Sequence, residues 1–213
     1  HFESQFYKLL DYNRDNNLEI TIKSPKSKIC NEITGGTVWL SFYSQIKKAY
    51  EIIQNNDVLN QKDTKAKMDI AFTTFYYGIS SSDTTRVYNH LKLKHNLSHT
   101  QICKYLFELR KIEHCEDFSA YHVGYSNKCG TFILQYFSFI NYINKQKMLS
   151  LEQKNDYINM LNLQNDNFCQ LVIYYYLNST HCEADHVLLN SKYNLLPRID
   201  STLLFHLNKI TKE

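Results

Sequence analysis

Glycine and proline are scarce in this chain. The 213 residues include only 5 Gly and 2 Pro. Loops that cradle phosphates are built from several glycines between a strand and a helix, and Gly35-Gly36 stands alone without that context. The sequence therefore predicts neither a phosphate-binding loop nor a dinucleotide-binding turn.

Charge of one sign is not concentrated anywhere in the chain. The 24 Lys and Arg residues and the 21 Asp and Glu residues are interspersed, and they leave a net charge of only +3. Nucleic-acid-binding proteins need a basic patch that neutralises phosphates. We therefore expect no nucleic-acid partner.

A long apolar run is also missing. The most apolar stretch, Phe132 to Ile143, has about 12 residues, whereas a membrane-spanning helix needs roughly 20. We therefore expect no membrane span in this chain.

No catalytic constellation stands out. Several His residues lie near Cys residues, as a Cys–His nucleophile pair would require. No glycine-framed nucleophile turn accompanies them. We expect a protein that is not an enzyme and that carries no cofactor.

Residues with AT-rich codons are abundant. Phe, Tyr, Met, Ile, Asn and Lys supply 91 of the 213 residues, whereas Gly, Ala, Arg and Pro supply 16. This balance indicates an AT-rich genome. It also weakens asparagine as a marker of loops, because the 21 Asn are spread over the whole chain.

Residues 131–146 are the stretch around which we expect the fold to be built. Between Phe132 and Ile143, nine of twelve residues are apolar or aromatic, and the polar ones recur at every third position. On a helix these polar residues form one narrow stripe, and a helix that is apolar around most of its circumference is buried. The pattern predicts a central core helix.

Apolar residues at helical spacing continue through most of the remaining chain. In the first half of the chain, we predict a helix from Thr37 to about Gln54, a second that stops near Gly78, a third around Val87 and Leu91, and a fourth that ends at about Glu113. Residues Ser150 to Leu177 form one helix or two helices broken near Gln164. The last two predicted helices run from Glu183 to Asn190 and from Ser201 to Lys212, and Asp200 caps the second of them. Two capping-box patterns, Ser98 with Gln101 and Ser150 with Gln153, mark helix starts. The predicted fold class is all-α, an irregular bundle of about eight or nine helices.

The first 36 residues have a different pattern. Phe2 and Phe6 suit a short amphipathic helix after Ser4, and Ile20 and Ile22 alternate with polar residues as in a short strand. We predict an N-terminal arm over residues 1–36 and a single helical domain over residues 37–213.

The chain has six cysteines, and an even number in a secreted chain indicates up to three disulfides. Two glycosylation sequons, at residues 96–98 and 178–180, and a first residue that is not Met agree with a processed, secreted or lumenal protein. We therefore predict at least two disulfides that staple the bundle.

The preferred disulfide joins Cys169 to Cys182, because residues 178–180 offer a turn between them. A helix over residues 103–115 would hold its ends about 18 Å apart, whereas a disulfide needs Cα atoms roughly 5.5 Å apart. The remaining candidates, which we leave unassigned, are Cys30, Cys103, Cys115 and Cys129.

A metal site is the alternative use of some of these residues. His114, Cys115, His181 and Cys182 form a ligand inventory suited to zinc. Within each pair, however, His and Cys are adjacent, and the two-to-four-residue spacing of a chelating motif is missing. Structural cysteines beside solvated histidines are the simpler interpretation, and no metal site is predicted.

Tyrosine is in excess, with 17 residues. Consecutive helical positions point about 100° apart, so Tyr174, Tyr175 and Tyr176 cannot all face one core. Tyrosine is enriched at interfaces because it combines a large apolar area with a hydroxyl at low rotamer cost, although codon bias explains the excess equally well. We predict an aromatic contact surface on the outer face of the last third of the chain, formed by these three residues and Tyr193.

In its helical body, cysteines, tyrosines and AT-type composition, the whole chain resembles the helical secreted invasion proteins of malaria-type (apicomplexan) parasites. Rhoptry-associated proteins are the nearest group. The resemblance is in composition, with no motif matched, and it carries over no residue roles. It implies a non-enzymatic protein–protein interaction or assembly module of a secreted complex for host-cell invasion. The alternative is an accessory structural subunit of a large intracellular assembly, such as a mitochondrial complex.

Overall fold

Helices make up almost all of the regular structure in the computed structural model, which describes residues 2–23, 32–80, 84–113, 124–196 and 199–207. The α-helices in these ranges are α1 (Phe2–Glu19), α2 (Gly36–Asn55), α3 (Thr64–Tyr77), α4 (Thr84–His95), α5 (His99–Glu113), α6 (Ser126–Asn144), α7 (Leu151–Asn162), α8 (Asn167–Leu177) and α9 (Ala184–Tyr193). Two short strands, β1 (Thr21–Lys23) and β2 (Glu32–Thr34), pair antiparallel. The predicted all-α fold class is confirmed.

Local sequence signals account for several helix ends. Ser150 and Gln153 exchange two hydrogen bonds between side chain and main chain at the start of α7, and Ser98 and Gln101 do the same at the start of α5. Both predicted capping boxes are therefore confirmed. Gly78 ends α3 with a φ of 76°, a left-handed conformation that glycine adopts without a steric cost.

Residues 151–177 form two helices rather than one. The Asp166 side chain accepts a hydrogen bond of 2.7 Å from the main-chain N–H of Cys169 and caps the start of α8. This cap competes with continuation of α7, which ends at Asn162. Of the two alternatives for this segment, the break near Gln164 is confirmed.

The centre of the bundle is α2, which packs against both α3 and α8. Trp39, Phe42 and Ile46 on α2 are fully buried. α3 buries eight residues in a row, from Met68 to Phe75. These two helices therefore hold the position that the sequence pattern had assigned to residues 131–146.

α6, which contains most of residues 131–146, is not buried all round. It begins at Ser126, and Leu134 on its outer side is 49% exposed. Phe139 is only partly buried against the core. The prediction of a central helix here is corrected, because a count of apolar residues does not distinguish fully buried aromatic rings from half-buried ones.

The first 36 residues are tied to the bundle through α1, which is longer than the short helix predicted after Ser4. Phe2 and Phe6 are buried, and their rings lie 5.0 and 4.6 Å from the ring of Tyr157 on α7. Near the other end of α1, Asn17 accepts a hydrogen bond from the indole N–H of Trp39. α1 therefore packs against the helical body at both of its ends.

The last described residues return to the core. Asp200 caps a 3-10 helix, Ser201–Leu203, as its predicted capping role required. No α-helix forms within residues 201–207, because the chain turns there and brings Phe205 inward, with its ring 4.3 Å from that of Tyr175. The prediction of an α-helix starting at Ser201 is corrected, and its part beyond residue 207 lies outside the described residues.

Phe137→Ala tests how much the inner side of α6 contributes to stability. Phe137 is 1% exposed, and its ring stacks on His186 with the centroids 3.9 Å apart. Because truncation leaves a cavity, we expect the free energy of unfolding to fall by about 3–5 kcal/mol in urea denaturation. Leu134→Ala, on the exposed side of the same helix, is the matched control, with an expected loss below about 1 kcal/mol. Equal losses would contradict the burial of Phe137.

The protein should lose stability as the pH falls below neutrality. Burial lowers the pKa of His186, although Glu183 and Asp185 act in the opposite direction, and burial also lowers the pKa of His206. Histidines of the unfolded chain bind protons below about pH 6.5. The buried residues stay neutral to a lower pH, so the unfolded state binds more protons and is favoured by acid. Urea denaturation at several pH values measures the effect.

Two variants separate the titration of His186 from its packing. His186→Gln should make the pH dependence of stability shallower below pH 6.5. Tyr176→Phe removes the hydroxyl that lies 2.8 Å from His186 Nδ1 and accepts a hydrogen bond of 3.3 Å from the Glu183 main-chain N–H, and it keeps the imidazole, so it should lower stability and keep the slope. An unchanged slope in His186→Gln would show that this residue does not cause the effect.

Candidate functional site

A carboxylate lies in the interior of the bundle at Asp69, on the buried run of α3, where it is 2% exposed. Its Oδ2 accepts hydrogen bonds from His90 Nε2 at 2.8 Å and from His95 Nε2 at 2.7 Å. Its Oδ1 accepts two more from Thr180, from the main-chain N–H at 2.6 Å and from the hydroxyl at 2.9 Å. The carboxylate therefore joins α3 to α4 and to the connection between α8 and α9.

Hydrogen bonds from neighbouring residues stabilise the negative charge on Asp69. Burial alone would raise the pKa of Asp69, but the hydrogen bonds from His90, His95 and Thr180 and the electrostatic effect of His90 outweigh it. The pKa of Asp69 therefore lies well below its ordinary value. A buried carboxylate without such partners would cost several kcal/mol.

His90 and His95 reach the same oxygen although they are five residues apart on α4. At about 100° per residue, this spacing puts them about 140° apart around a helix axis. His95 is the last residue of α4, and Asn96, with a φ of 53°, turns the chain there. Lys62 also donates a hydrogen bond of 3.0 Å to the main-chain oxygen of His95. These end contacts hold His95 where its ring reaches Asp69.

Two further polar residues, Thr73 and His181, lie beside this pair of histidines. Thr73, one turn after Asp69 on α3, has its hydroxyl 2.8 Å from His181 Nε2 and 3.3 Å from His90 Nε2. The rings of His90 and His181 stack with centroids 5.3 Å apart. Burial, with the nearby His90, lowers the pKa of His181 to about 4, so His181 is neutral at pH 7. We call the six residues Asp69, Thr73, His90, His95, Thr180 and His181 the Asp69 cluster.

The Asp69 cluster lacks the arrangement of a hydrolytic triad. In a triad, one ring nitrogen of the histidine faces the nucleophile and the other faces the carboxylate. His90 directs the same nitrogen, Nε2, towards both Thr73 and Asp69. His90 therefore cannot take a proton from the Thr73 hydroxyl at one ring nitrogen while Asp69 holds the other nitrogen.

What the Asp69 cluster does contain is a set of metal-ligand atoms. Asp69 Oδ2, His90 Nε2 and His95 Nε2 all lie within 4.8 Å of one another. Two imidazoles and one carboxylate are ligands that transition-metal ions prefer. The sequence does not reveal this set, because its members lie on two helices at no recognised spacing. The available signal was a single acidic residue among the apolar positions of α3.

An open groove of about 510 Å³ lies between α2 and α5. Its charged residues lie in ion pairs: Lys48 with Glu51 at 3.2 Å, Lys111 with Glu108 at 3.0 Å, and Lys104 with Asp57 at 3.1 Å. Because these pairs neutralise each other at the surface, the groove offers no concentrated charge and no isolated reactive group.

The described cysteines are free thiols, and they are Cys103, Cys129, Cys169 and Cys182. The predicted pair of Cys169 with Cys182 is therefore wrong. Cys169 is fully buried on α8, whereas Cys182 is half-buried in the connection after it, with its thiol 3.4 Å from the main-chain oxygen of Glu183. Burial raises the pKa of Cys129 and of Cys169, and that of Cys182 to about 11.

The prediction of at least two disulfides is not supported either, because none of the four described cysteines is paired. Cys30 and Cys115 lie outside the described residues, and two cysteines can form at most one bond with each other. His114, from the zinc alternative, also lies outside them. Of the described half of that ligand inventory, His181 belongs to the Asp69 cluster and Cys182 does not.

The predicted aromatic surface of the last third is not formed, because three of its four tyrosines are buried. Tyr175, Tyr176 and Tyr193 are 0%, 5% and 6% exposed. The rings differ in direction, as expected, but core residues lie on more than one side of α8: Tyr175 packs on Phe205, and Tyr176 hydrogen-bonds to His186. Tyr174 is partly buried and stacks on His206.

Aromatic residues reach the surface along α1 instead. Tyr7 and Tyr12 are 52% and 50% exposed. The ring of Tyr7 lies 5.7 Å from that of Phe6, which packs on Tyr157 of α7. The ring of Tyr12 lies 6.4 Å from that of Phe139 on α6. We call Tyr7, Tyr12, Phe139 and Tyr157 the α1 aromatic surface.

No protein-family model matches the chain, and no curated protein or solved structure is significantly similar to it. Among the described helices, none combines the length and the apolar character needed to cross a membrane. The function is therefore inferred from the side chains of this chain.

Alkylation in denaturant without reductant should label at least four of the six cysteines, measured by intact mass. In the native protein, we expect Cys103 to react first because it is exposed. Cys129 and Cys169 should react only as the protein unfolds, because burial disfavours their thiolates. A mass that corresponds to two or more disulfides would contradict this assignment.

Proposed function

We propose that this chain is a non-enzymatic protein–protein interaction or assembly module that binds its partner through the α1 aromatic surface. The observation that carries the proposal is the half-exposure of Tyr7 and Tyr12, whose rings lie against the buried ring of Phe6 and the partly buried ring of Phe139. Tyrosine at the centre of an interface contributes large apolar area at low conformational cost.

The surroundings of this surface also fit an interface. Asp11, Arg14 and Asp15 lie on α1 between and beside the two tyrosines, and Arg14 pairs with both acids at 3.2 Å. An apolar centre bordered by charged residues is the usual anatomy of a protein–protein interface.

A binding role agrees with the chemistry of the described polar sites. In the Asp69 cluster, His90 does not link a nucleophile to the carboxylate as the histidine of a hydrolytic triad does, and the charges of the groove between α2 and α5 lie in ion pairs. A role in recognition is therefore favoured over hydrolysis by such a triad.

The compartment in which the module acts is proposed on separate grounds. The compositional resemblance supports a secreted complex of the rhoptry-associated type that acts in host-cell invasion. The free thiols support the alternative, an accessory structural subunit of a large intracellular assembly such as a mitochondrial complex, because disulfides are rare where thiols are kept reduced.

The test is co-purification after cross-linking at native abundance from the cells that make the protein. We expect a partner to be recovered with the wild-type chain and to be lost, by at least about tenfold, with the double variant Tyr7→Ser/Tyr12→Ser, since interface hot spots exceed about 2 kcal/mol. Phe107→Ser is the matched control, because Phe107 is 58% exposed but lies on α5.

The outcomes separate the proposals. Secretory-organelle partners support the invasion complex, and organellar machinery supports the intracellular assembly. Equal recovery with the double variant and with Phe107→Ser would rule out the α1 aromatic surface as the binding site. A chain that purifies alone at native abundance would overturn the interaction function itself.

A further inference from the structure

We propose that Asp69, His90 and His95 bind a divalent transition-metal ion of the Zn²⁺ class. The proposal does not depend on the proposed interaction function, because the three residues lie on α3 and α4 and the α1 aromatic surface lies on α1, α6 and α7. It rests on the convergence of two imidazole nitrogens on one carboxylate oxygen in a buried position.

The donor set selects the class of cation. Mg²⁺ and Ca²⁺ prefer ligand shells made of oxygen, whereas Zn²⁺ and related ions accept imidazole nitrogen with a carboxylate. Three protein ligands plus an open position are the pattern of zinc sites that hold a water molecule. One carboxylate also supplies a negative charge that partly offsets the charge of the ion.

The distances between the proposed ligand atoms are close to those that a bound ion would require. The Oδ2–Nε2 distances are 2.8 and 2.7 Å, whereas bonds of about 2.0–2.2 Å to a tetrahedral ion place its ligand atoms roughly 3.3 Å apart. Each ring therefore has to move outward by about half an ångström. The side chains of His90 and His95 are 11% and 9% exposed, so an ion can reach them from solvent.

The carboxylate is already oriented for one-oxygen coordination. Oδ1 is occupied by the two hydrogen bonds from Thr180, which leaves Oδ2 to face the rings. Partners of this kind orient metal ligands and raise affinity. The Thr73 and Thr180 hydroxyls lie 3.3 and 3.4 Å from His90 Nε2, where they can hydrogen-bond to a water molecule in the open position.

An ion takes the place of one hydrogen on each ring. Without an ion, each imidazole donates its Nε2–H to Asp69. With an ion on Nε2, that hydrogen leaves to solvent as a proton, and the ring carries its hydrogen on Nδ1. The protons balance, and no oxidant or reductant is involved.

The test uses the full chain, stripped with a chelator and then dialysed against Zn²⁺. We expect one tightly held Zn²⁺ per chain by elemental analysis and a higher melting temperature with Zn²⁺ than with Mg²⁺. His90→Ala and His95→Ala should each lose the ion, and His206→Ala is the matched control that keeps it. Thr180→Val should weaken binding by on the order of 10-fold. No bound Zn²⁺, or equal binding in the two histidine variants and the control, would overturn the site.

A measurement on the unmodified chain keeps the test independent of whether the variants fold. When Co²⁺ replaces Zn²⁺, the intensity of its visible absorption depends on its coordination number. The absorption is strong when the ion has four or five ligands and weak when it has six. We expect strong bands that saturate at one Co²⁺ per chain and that Zn²⁺ abolishes. Only weak bands, as from a hydrated surface ion, would overturn the proposal.

Discussion

The carboxylate of Asp69 imposes a condition on the segments around it, because an ion taken out of water costs several kcal/mol unless donors replace the lost solvation. Here four hydrogen bonds meet that condition, two from α4 and two from Thr180. The end of α4 and the connection between α8 and α9 therefore have to lie against α3. A constraint of this kind specifies where segments meet even where its net contribution to stability is small.

The aromatic residues divide between two roles that composition cannot separate. Around α8, Tyr175 and Tyr176 are buried, and their surroundings include Phe205 and His186. Along α1, Tyr7 and Tyr12 remain half-exposed over rings that are buried or partly buried. The same residue type therefore fills the interior in one place and stays half-exposed in the other. Which role applies depends on how many neighbouring elements cover the helix.

The cysteines likewise behave as small apolar residues in the described part of the chain. Cys129 and Cys169 are fully buried, one on α6 and the other on α8, and burial disfavours their ionised forms. A buried free thiol packs much as a small hydrophobic side chain does. Among the described residues, the cysteines are therefore unpaired, and the core accounts for two of the four.

The sequence by itself determined features that depend on neighbouring residues: the all-α class, both capping boxes, the stop at Gly78, the cap at Asp200 and the break near Gln164. These signals are local because helix ends are closed by side chains within a few residues. Only the tertiary structure decided which helix is central, which tyrosines are buried and which cysteines stay apart, since each depends on what covers a residue from a distant segment. The Asp69 cluster shows this most clearly: its ligand atoms come from α3 and α4, and a five-residue spacing on α4 becomes a shared site only because the helix ends at His95.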